Sequence, residues 1–137
     1  MASICKEILI EARPEDVWAA VRDFGAVHQR LVPGILVDAR LEGDGRVVTF
    51  ASGAVARELL VDVDDEARRL AYAVVEGRLG ITHHNSSIQV FADGEDRSRL
   101  VWITDVLPHD LATPVRDLVE QGASVMKQTL EVQASRG

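Results

Sequence analysis

The sequence is poor in cysteine, aromatic residues and positive charge. Its 137 residues include one Cys, three Phe, two Trp and one Tyr. The single cysteine, Cys5, excludes a disulfide within the chain, and so few aromatic rings leave most of the core to Val, Leu, Ile and Ala. Fifteen basic residues against 22 acidic ones give a net charge of −7, which repels phosphate backbones. We therefore expect no nucleic-acid partner.

Long apolar runs are also missing. No stretch approaches the ~20 apolar residues that a membrane-spanning helix needs, and the N-terminus lacks the pattern of a secretion signal. The chain has 10 Gly and 4 Pro, and 27% of the residues are charged, as in ordinary globular proteins. The sequence thus predicts one domain over residues 1–137, a cytoplasmic location and no stable insertion into membranes.

The hydrophobic pattern alternates between strand and helix periods along the chain. Alternation over residues 4–10 predicts a strand, and Pro14 with the apolar spacing after it predicts a helix, followed by a shorter helix over residues 26–31. Extended segments separated by Gly- and Asp-rich turns then predict six more strands. These lie at about residues 35–41, 46–50, 54–63, 70–75, 82–91 and 100–107.

A long amphipathic helix is predicted at the C-terminal end. Thr113 suits the cap position and Pro114 the first helical position. The helical period places one apolar face at Leu111, Val115, Leu118, Gly122, Val125 and Thr129, flanked by Val119, Met126 and Leu130.

This order of elements, β-α-α-β-β-β-β-β-β-α, predicts an α+β helix-grip fold. Sequential strands favour an antiparallel sheet, and one long helix covers only one of its faces. A seven-stranded sheet must therefore curve around the helix, and the space between them is the expected ligand cavity. The edge of the first strand leaves both a monomer and a homodimer open.

The residues resemble the START-like or Bet v 1-like (SRPBCC) superfamily, and in particular its polyketide cyclase/dehydrase and lipid transport branch. The likeness covers nearly the whole chain and rests on the order and spacing of several short pieces. These are Pro14-x-x-Val17-Trp18, Asp23-Phe24, Pro33-x-Ile35, Gly45-x-Val47, Gly53, Glu58-x-Leu60 with Asp62, Arg69-Leu70-x-Tyr72, and Trp102 followed by Pro108. The resemblance implies the helix-grip fold and a ligand cavity, but no particular reaction.

Two loops are also similar to those that close over the hormone in plant abscisic acid receptors. Ser52-Gly53-Ala54-Val55 resembles the gate loop, and Gly77-Arg78-Leu79-Gly80 resembles the latch. The proline of that gate is Val55 here, and Gly77 stands where the latch has a histidine. The resemblance therefore implies gating loops without implying hormone binding.

Glu58 is the first candidate for chemistry, because it interrupts an apolar strand and the resemblance places it towards the cavity. A carboxylate there can serve as an acid or base on an enolisable ligand, or hydrogen-bond a ligand hydroxyl. A solvent-facing Glu58 on the outer face is the alternative.

The adjacent histidines His83 and His84 point to opposite faces of a strand, which argues against a two-histidine metal site. We predict no metal. The register directs His84 and Ser86 inwards, where they can contact a polar ligand group or where His84 is simply a core histidine. Residues two apart on a strand are about 6.5 Å apart, too far for a serine–histidine nucleophile.

Other residues are predicted to line the ligand site. They are His28, Leu31, Arg46, Tyr72, Trp102, Leu118, Gly122 and Met126. The competing interpretation is solvent exposure for His28 and Arg46, and plain core packing for the apolar members.

Three functions follow from these features. The first is a binding protein for a small hydrophobic molecule, whether aromatic, polyketide-like, lipid or isoprenoid. The second is a cyclase or dehydratase that uses Glu58 or His84 as its acid or base. The third is an interaction module gated by its ligand. None of them requires a cofactor.

Overall fold

The computed structural model describes residues 2–136, so the first and last residues of the predicted domain lie outside it. Residues 2–136 form seven strands and three α-helices, with short 3-10 turns at Phe24–Ala26 and His109–Leu111. The strands are β1 (Ala2–Ile10), β2 (Leu36–Glu42), β3 (Gly45–Phe50), β4 (Val55–Asp64), β5 (Arg69–Glu76), β6 (His83–Ala92) and β7 (Ser98–Leu107). The helices are α1 (Pro14–Arg22), α2 (Val27–Arg30) and α3 (Ala112–Arg136).

The strands form one antiparallel sheet in the order β1-β7-β6-β5-β4-β3-β2. Consecutive strands from β2 to β7 are neighbours, and β1 pairs with β7, from Ala2 opposite Val106 to Ile10 opposite Ser98. The register of β4 against β5 shifts twice, between Arg57 and Glu58 and between Leu60 and Asp62, and such bulges bend a strand. The predicted α+β helix-grip fold, with its order of elements, is confirmed.

The start and the buried face of α3 differ from the sequence prediction. The helix begins at Ala112, because the 3-10 turn before it runs directly into the helix, so Thr113 is not the cap. Leu118 is 39% exposed, and the buried stripe is centred one position further along. Its members are Val115, Val119, Gly122, Ala123, Met126 and Leu130. Adjacent stripes of a helix overlap, so a pattern rich in Val and Leu leaves the centre of the stripe undefined.

Helix α3 packs against β1 and β7, at one side of the sheet. Polar contacts fix it there: Lys127 Nζ donates to the Leu9 carbonyl oxygen at 2.6 Å, and Glu131 accepts from the Glu11 amide at 2.9 Å. These side chains occupy backbone groups at the end of an edge strand, which protects that edge from pairing with another chain. Within residues 2–136, no helix has the length and apolar character needed to cross a membrane.

Gly45 permits a close approach between the backbones of β3 and β4. A Cβ built on this residue would lie 2.2 Å from the carbonyl oxygen of Glu58 and 3.2 Å from Cα of Leu59. Only glycine fits at such a distance. The approach brings the next pair, Arg46 and Glu58, directly opposite one another across β3 and β4.

We expect Gly45→Ala to lower the free energy of unfolding by about 2–3 kcal/mol, because the new methyl group must push β3 away from β4. Gly77→Ala is the matched control: its Cβ would meet Ala56 Cβ at 3.8 Å, an ordinary contact, so the change should stay within about 0.5 kcal/mol. Urea unfolding of both variants measures the difference. Equal stabilities for the two variants would contradict the close approach.

Candidate ligand-binding site

Polar side chains are buried on the inner face of the sheet, where an ordinary core is apolar. Arg46 is 6% exposed, Glu58 8%, Ser86 0% and Thr104 2%. Together with Tyr72 and His84 they extend across β3 to β7, and we call these six residues the inner polar cluster. Buried polar groups need hydrogen-bond partners, so their contacts define what the cluster can do.

Arg46 and Glu58 form a buried ion pair. Arg46 Nε donates to Glu58 Oε1 at 2.7 Å, and a second guanidinium nitrogen donates to the Phe24 carbonyl oxygen at 2.9 Å. The guanidinium carbon also lies 3.8 Å from the ring centre of Phe24 and 5.2 Å from that of Tyr72. The sequence left open whether Arg46 and Glu58 face the interior or the solvent. In the structure both side chains face the interior. Their charges cancel, so the pair adds no net charge to the site.

His84 lies where β5 and β6 separate. The two strands pair from Arg69 opposite Gln89 to Tyr72 opposite Ser86, and beyond that point the Val74 amide donates to Nδ1 of His84 at 3.0 Å. The neutral ring therefore carries its proton on Nε2, which faces the Ser86 hydroxyl at 3.4 Å. That hydroxyl in turn lies 2.7 Å from the Thr104 hydroxyl. His83 is exposed on the outer face, so the two histidines do not share a site.

Burial keeps the two titratable groups beside the ion pair uncharged at neutral pH. It lowers the pKa of His84 to about 4, helped by the neighbouring charge of His83 and opposed by Asp105. It raises the pKa of Tyr72 to about 12, with Glu58 acting in the same direction. Both rings lie together, their centres 5.8 Å apart.

Two buried nitrogen atoms have no hydrogen-bond partner in the part of the chain that the structure describes: Nε1 of Trp102 and Nδ1 of His28. The Trp102 ring packs against α3, where a Cβ at Gly122 would lie 3.1 Å from it. Nε1 of Trp102 lies near the Tyr72 hydroxyl and lowers the Tyr72 pKa against the larger effect of burial, but the two groups do not meet in hydrogen-bond geometry. Unpaired buried donors are rare in proteins and mark places where a ligand or water bonds.

The remaining residues predicted to line the site fall into different places. Leu31 and Met126 are buried in the main core, whereas Leu118 is exposed and does not face the cluster. The predicted gating residues Ser52 and Gly53 form the turn between β3 and β4, and Gly77 and Leu79 belong to the turn between β5 and β6. All four are exposed.

Thr104 and the Phe24 carbonyl were not anticipated from the sequence. Thr104 stands two residues after Trp102, and the alternation of β7 alone places both on the same face. The carbonyl of Phe24 offered no signal, because a backbone oxygen carries no information in the sequence.

Two open grooves lie elsewhere on the molecule. One runs between the start of α1 and the end of α3, and the other between α1 and the β2–β3 hairpin. Neither is lined by the inner polar cluster. We place the candidate site at the cluster because its buried, partly unpaired groups indicate recognition, whereas both grooves are open and lined by a mixture of charged and apolar residues. Within residues 2–136, no three His, Cys, Asp or Glu side chains are grouped to hold a metal ion.

A curved antiparallel sheet that grips a long C-terminal helix and carries polar groups on its inner face defines the helix-grip class of ligand-binding domains, which includes START and Bet v 1-like proteins. Within that class the chain belongs to the family described as polyketide cyclase / dehydrase and lipid transport, which it matches over residues 1–134. The family implies binding of a small hydrophobic molecule. The predicted superfamily is thus confirmed.

Solved structures share this fold. The protein XoxI from Bacillus cereus has a TM-score of 0.86 at 20% identity, covering 95% of this chain and 96% of its own. Norcoclaurine synthase from Thalictrum flavum, in complex with dopamine and hydroxybenzaldehyde, has a TM-score of 0.76 at 23% identity, covering 98% and 86%. A START superfamily protein from Mycobacterium smegmatis has a TM-score of 0.75 at 14% identity, covering 99% of both chains. No curated protein sequence matches this chain significantly.

We expect Arg46→Met to lower the free energy of unfolding by about 3–5 kcal/mol, because it leaves Glu58 buried without its partner. The double variant Arg46→Met with Glu58→Met should lie within about 1 kcal/mol of the unmodified protein, since apolar side chains of similar size replace both charges. Arg97→Met is the surface control: it breaks a pair with Asp93 whose side chains are 49% and 41% exposed, so it should cost less than about 1 kcal/mol. A double variant as unstable as Arg46→Met would contradict the ion-pair account.

The depressed pKa of His84 predicts a loss of stability in mild acid. Free histidine titrates near pH ~6.5. As the pH falls from that value towards 4, His84 binds a proton in the unfolded chain but stays neutral in the folded protein. The free energy of unfolding therefore drops. Between pH 7 and pH 5 the unmodified protein should therefore lose more stability than His84→Gln. Exposed His109 provides the control, because it does not contribute to the pKa shift of His84, and His109→Gln should therefore keep the pH dependence of the unmodified protein; urea unfolding at both pH values tests this.

Proposed function

We propose that this protein binds a small, mostly apolar molecule, aromatic, polyketide-like or isoprenoid, at the inner polar cluster between the sheet and α3. The observation that carries the proposal is the buried Nε1 of Trp102, which has no partner among the described residues. A protein gains nothing from burying an unpaired donor in its core, whereas a bound molecule with an acceptor satisfies it.

Apolar residues surround the cluster on the same face of the sheet. Val48, Leu70, Ile88 and Val90 are almost completely buried there, and Met126 approaches from α3. Such a lining removes water from an apolar ligand, which is the main source of its affinity, while the few polar groups set its orientation. This division of labour supports a ligand that is mostly hydrocarbon with one or two polar atoms.

The two turns beside the cluster are suited to admit the ligand. The turn containing Gly77 approaches the start of β4, since its Cβ position is 3.8 Å from Ala56. Leu79 in the same turn presents an apolar side chain that is 42% exposed. We propose that this turn and the one at Ser52 and Gly53 close over the bound molecule, which would bury Leu79.

Binding is preferred to turnover because both predicted bases are already engaged. Nδ1 of His84 accepts from the Val74 amide, and Oε1 of Glu58 accepts from Arg46. A general base must be free to reach a proton of the substrate. A cyclase or dehydratase that used His84 would have to break its bond to the Val74 amide, and one that used Glu58 would have to act through the second carboxylate oxygen while the first stays paired with Arg46.

The test is native mass spectrometry of the protein purified from its own host, with identification of any molecule that dissociates from it. A co-purified apolar metabolite that raises the unfolding temperature when added back is the expected result. Tyr72→Phe should weaken this effect, because it removes a polar group of the cluster but keeps the ring. Val61→Ala is the control, since this side chain is exposed on β4 and should leave binding unchanged.

The proposal fails if the protein carries nothing and a screen of aromatic, polyketide and isoprenoid compounds produces no thermal stabilisation. It also fails if Val61→Ala weakens binding as much as Tyr72→Phe, because the ligand would then sit outside the inner face.

A further inference from the structure

We infer that the bound molecule is uncharged, and that one of its oxygen atoms accepts a hydrogen bond from Nε1 of Trp102; carboxylates are excluded from this position. The inference rests on the proposed function and adds the chemical class of the ligand and the residue that selects it.

Trp102 presents a donor and nothing else. An indole N–H cannot accept a hydrogen bond, so only an acceptor atom satisfies it. The other tryptophan shows how this chain satisfies such a group: Nε1 of Trp18 donates to Asp65 at 2.9 Å. Nε1 of Trp102 is buried and has no equivalent partner within residues 2–136.

The direction of this donor is fixed. The Trp102 ring lies against Gly122 of α3, with only 3.1 Å between two ring atoms and the position of a Cβ. Trp102 also packs between the two hydrophobic clusters of the protein, one around Val119 and Val106 and the other around Met126. Because the ring is packed on several sides, its N–H has a fixed position and direction. A ligand must therefore place an acceptor atom at that position, since the ring does not reorient to suit the ligand.

The charges around Trp102 favour a neutral acceptor. Arg46 is the cation of the inner polar cluster, and Glu58 neutralises it at 2.7 Å. Tyr72 and His84 are uncharged at neutral pH for the reasons given above. A carboxylate beside Trp102 would be a buried charge without a free counter-ion in the inner polar cluster, because Arg46 is already paired with Glu58.

A ketone suits the site better than a carboxylate of the same shape. Its oxygen has two lone pairs and no proton, so it can accept from Trp102 and, on its other side, from the neighbouring Tyr72 hydroxyl. The Trp102 N–H then gains an acceptor, and because the ketone is neutral, no ligand charge has to be desolvated.

The experiment compares three probes that share one ring system: 2-acetylnaphthalene, 2-ethylnaphthalene and 2-naphthoate. Each is titrated into ¹⁵N-labelled protein at pH 7.5, and the two indole N–H signals are followed by NMR. The ketone should bind roughly tenfold more tightly than the hydrocarbon and at least tenfold more tightly than the carboxylate. It should shift the Trp102 signal and leave the Trp18 signal in place.

Two variants identify the signals and isolate the hydrogen bond. Trp102→Phe should reduce the affinity for the ketone to that for 2-ethylnaphthalene, while the affinity for the hydrocarbon stays the same. Trp18→Phe is the matched control and should bind all three probes as the unmodified protein does, because the N–H of that indole already donates to Asp65. The comparison among probes uses the unmodified protein, so it holds even if Trp102→Phe folds poorly.

The outcomes separate the two proposals. Tighter binding of 2-naphthoate than of the ketone, or binding of the ketone without a shift at Trp102, overturns the inference and leaves the proposed function standing. If none of the probes binds at the inner face, both proposals are overturned together.

Discussion

One helix cannot cover seven strands, and the organisation of this protein follows from that constraint. Helix α3 has 25 residues and packs on β1 and β7, at one side of the sheet. The inner face of the remaining strands is covered by α1, α2 and the curvature of the sheet itself. Bulges in β4 contribute to the curvature, and Gly45 lets β3 approach it closely. The inner polar cluster spans β3 to β7, so only its end at β7 lies on a strand against which α3 packs.

Burying these residues contributes little to stability. A buried ion pair such as Arg46 with Glu58 is often no better than apolar side chains of the same volume, because desolvation offsets the attraction between the charges. The unpaired donor of Trp102 is unfavourable in the free protein. Meanwhile the chain has ample Val, Leu and Ile with which to fill an apolar core. Polar groups retained at such a cost, and grouped on one face, are better explained by recognition than by folding.

The sequence predicted the fold well because the fold depends on local patterns. Alternation in β1 and the turns that separate the later extended segments identified all seven strands, and the helical period identified α3. The prediction that Leu118 lies on the buried face of α3 was wrong, because neighbouring positions of the helix are equally apolar. The site was harder to predict from the sequence than the fold. Arg46 and Glu58 are 12 residues apart, and they meet only through the strand register near Gly45. The lone donor of Trp102 depends on the packing of several elements, which no periodicity reveals.

The distribution of satisfied and unsatisfied groups also determines what kind of selectivity the site can have. Arg46, Glu58, His84, Ser86 and Thr104 bond to one another or to the backbone, so the ligand does not have to replace their partners. Affinity must then come mainly from apolar contact, which grows with buried area and discriminates weakly between similar shapes. A single fixed donor can add discrimination, because a ligand without an acceptor leaves it unpaired. Such a site would bind ligands with different hydrocarbon skeletons but would require one acceptor oxygen at the position of the Trp102 N–H.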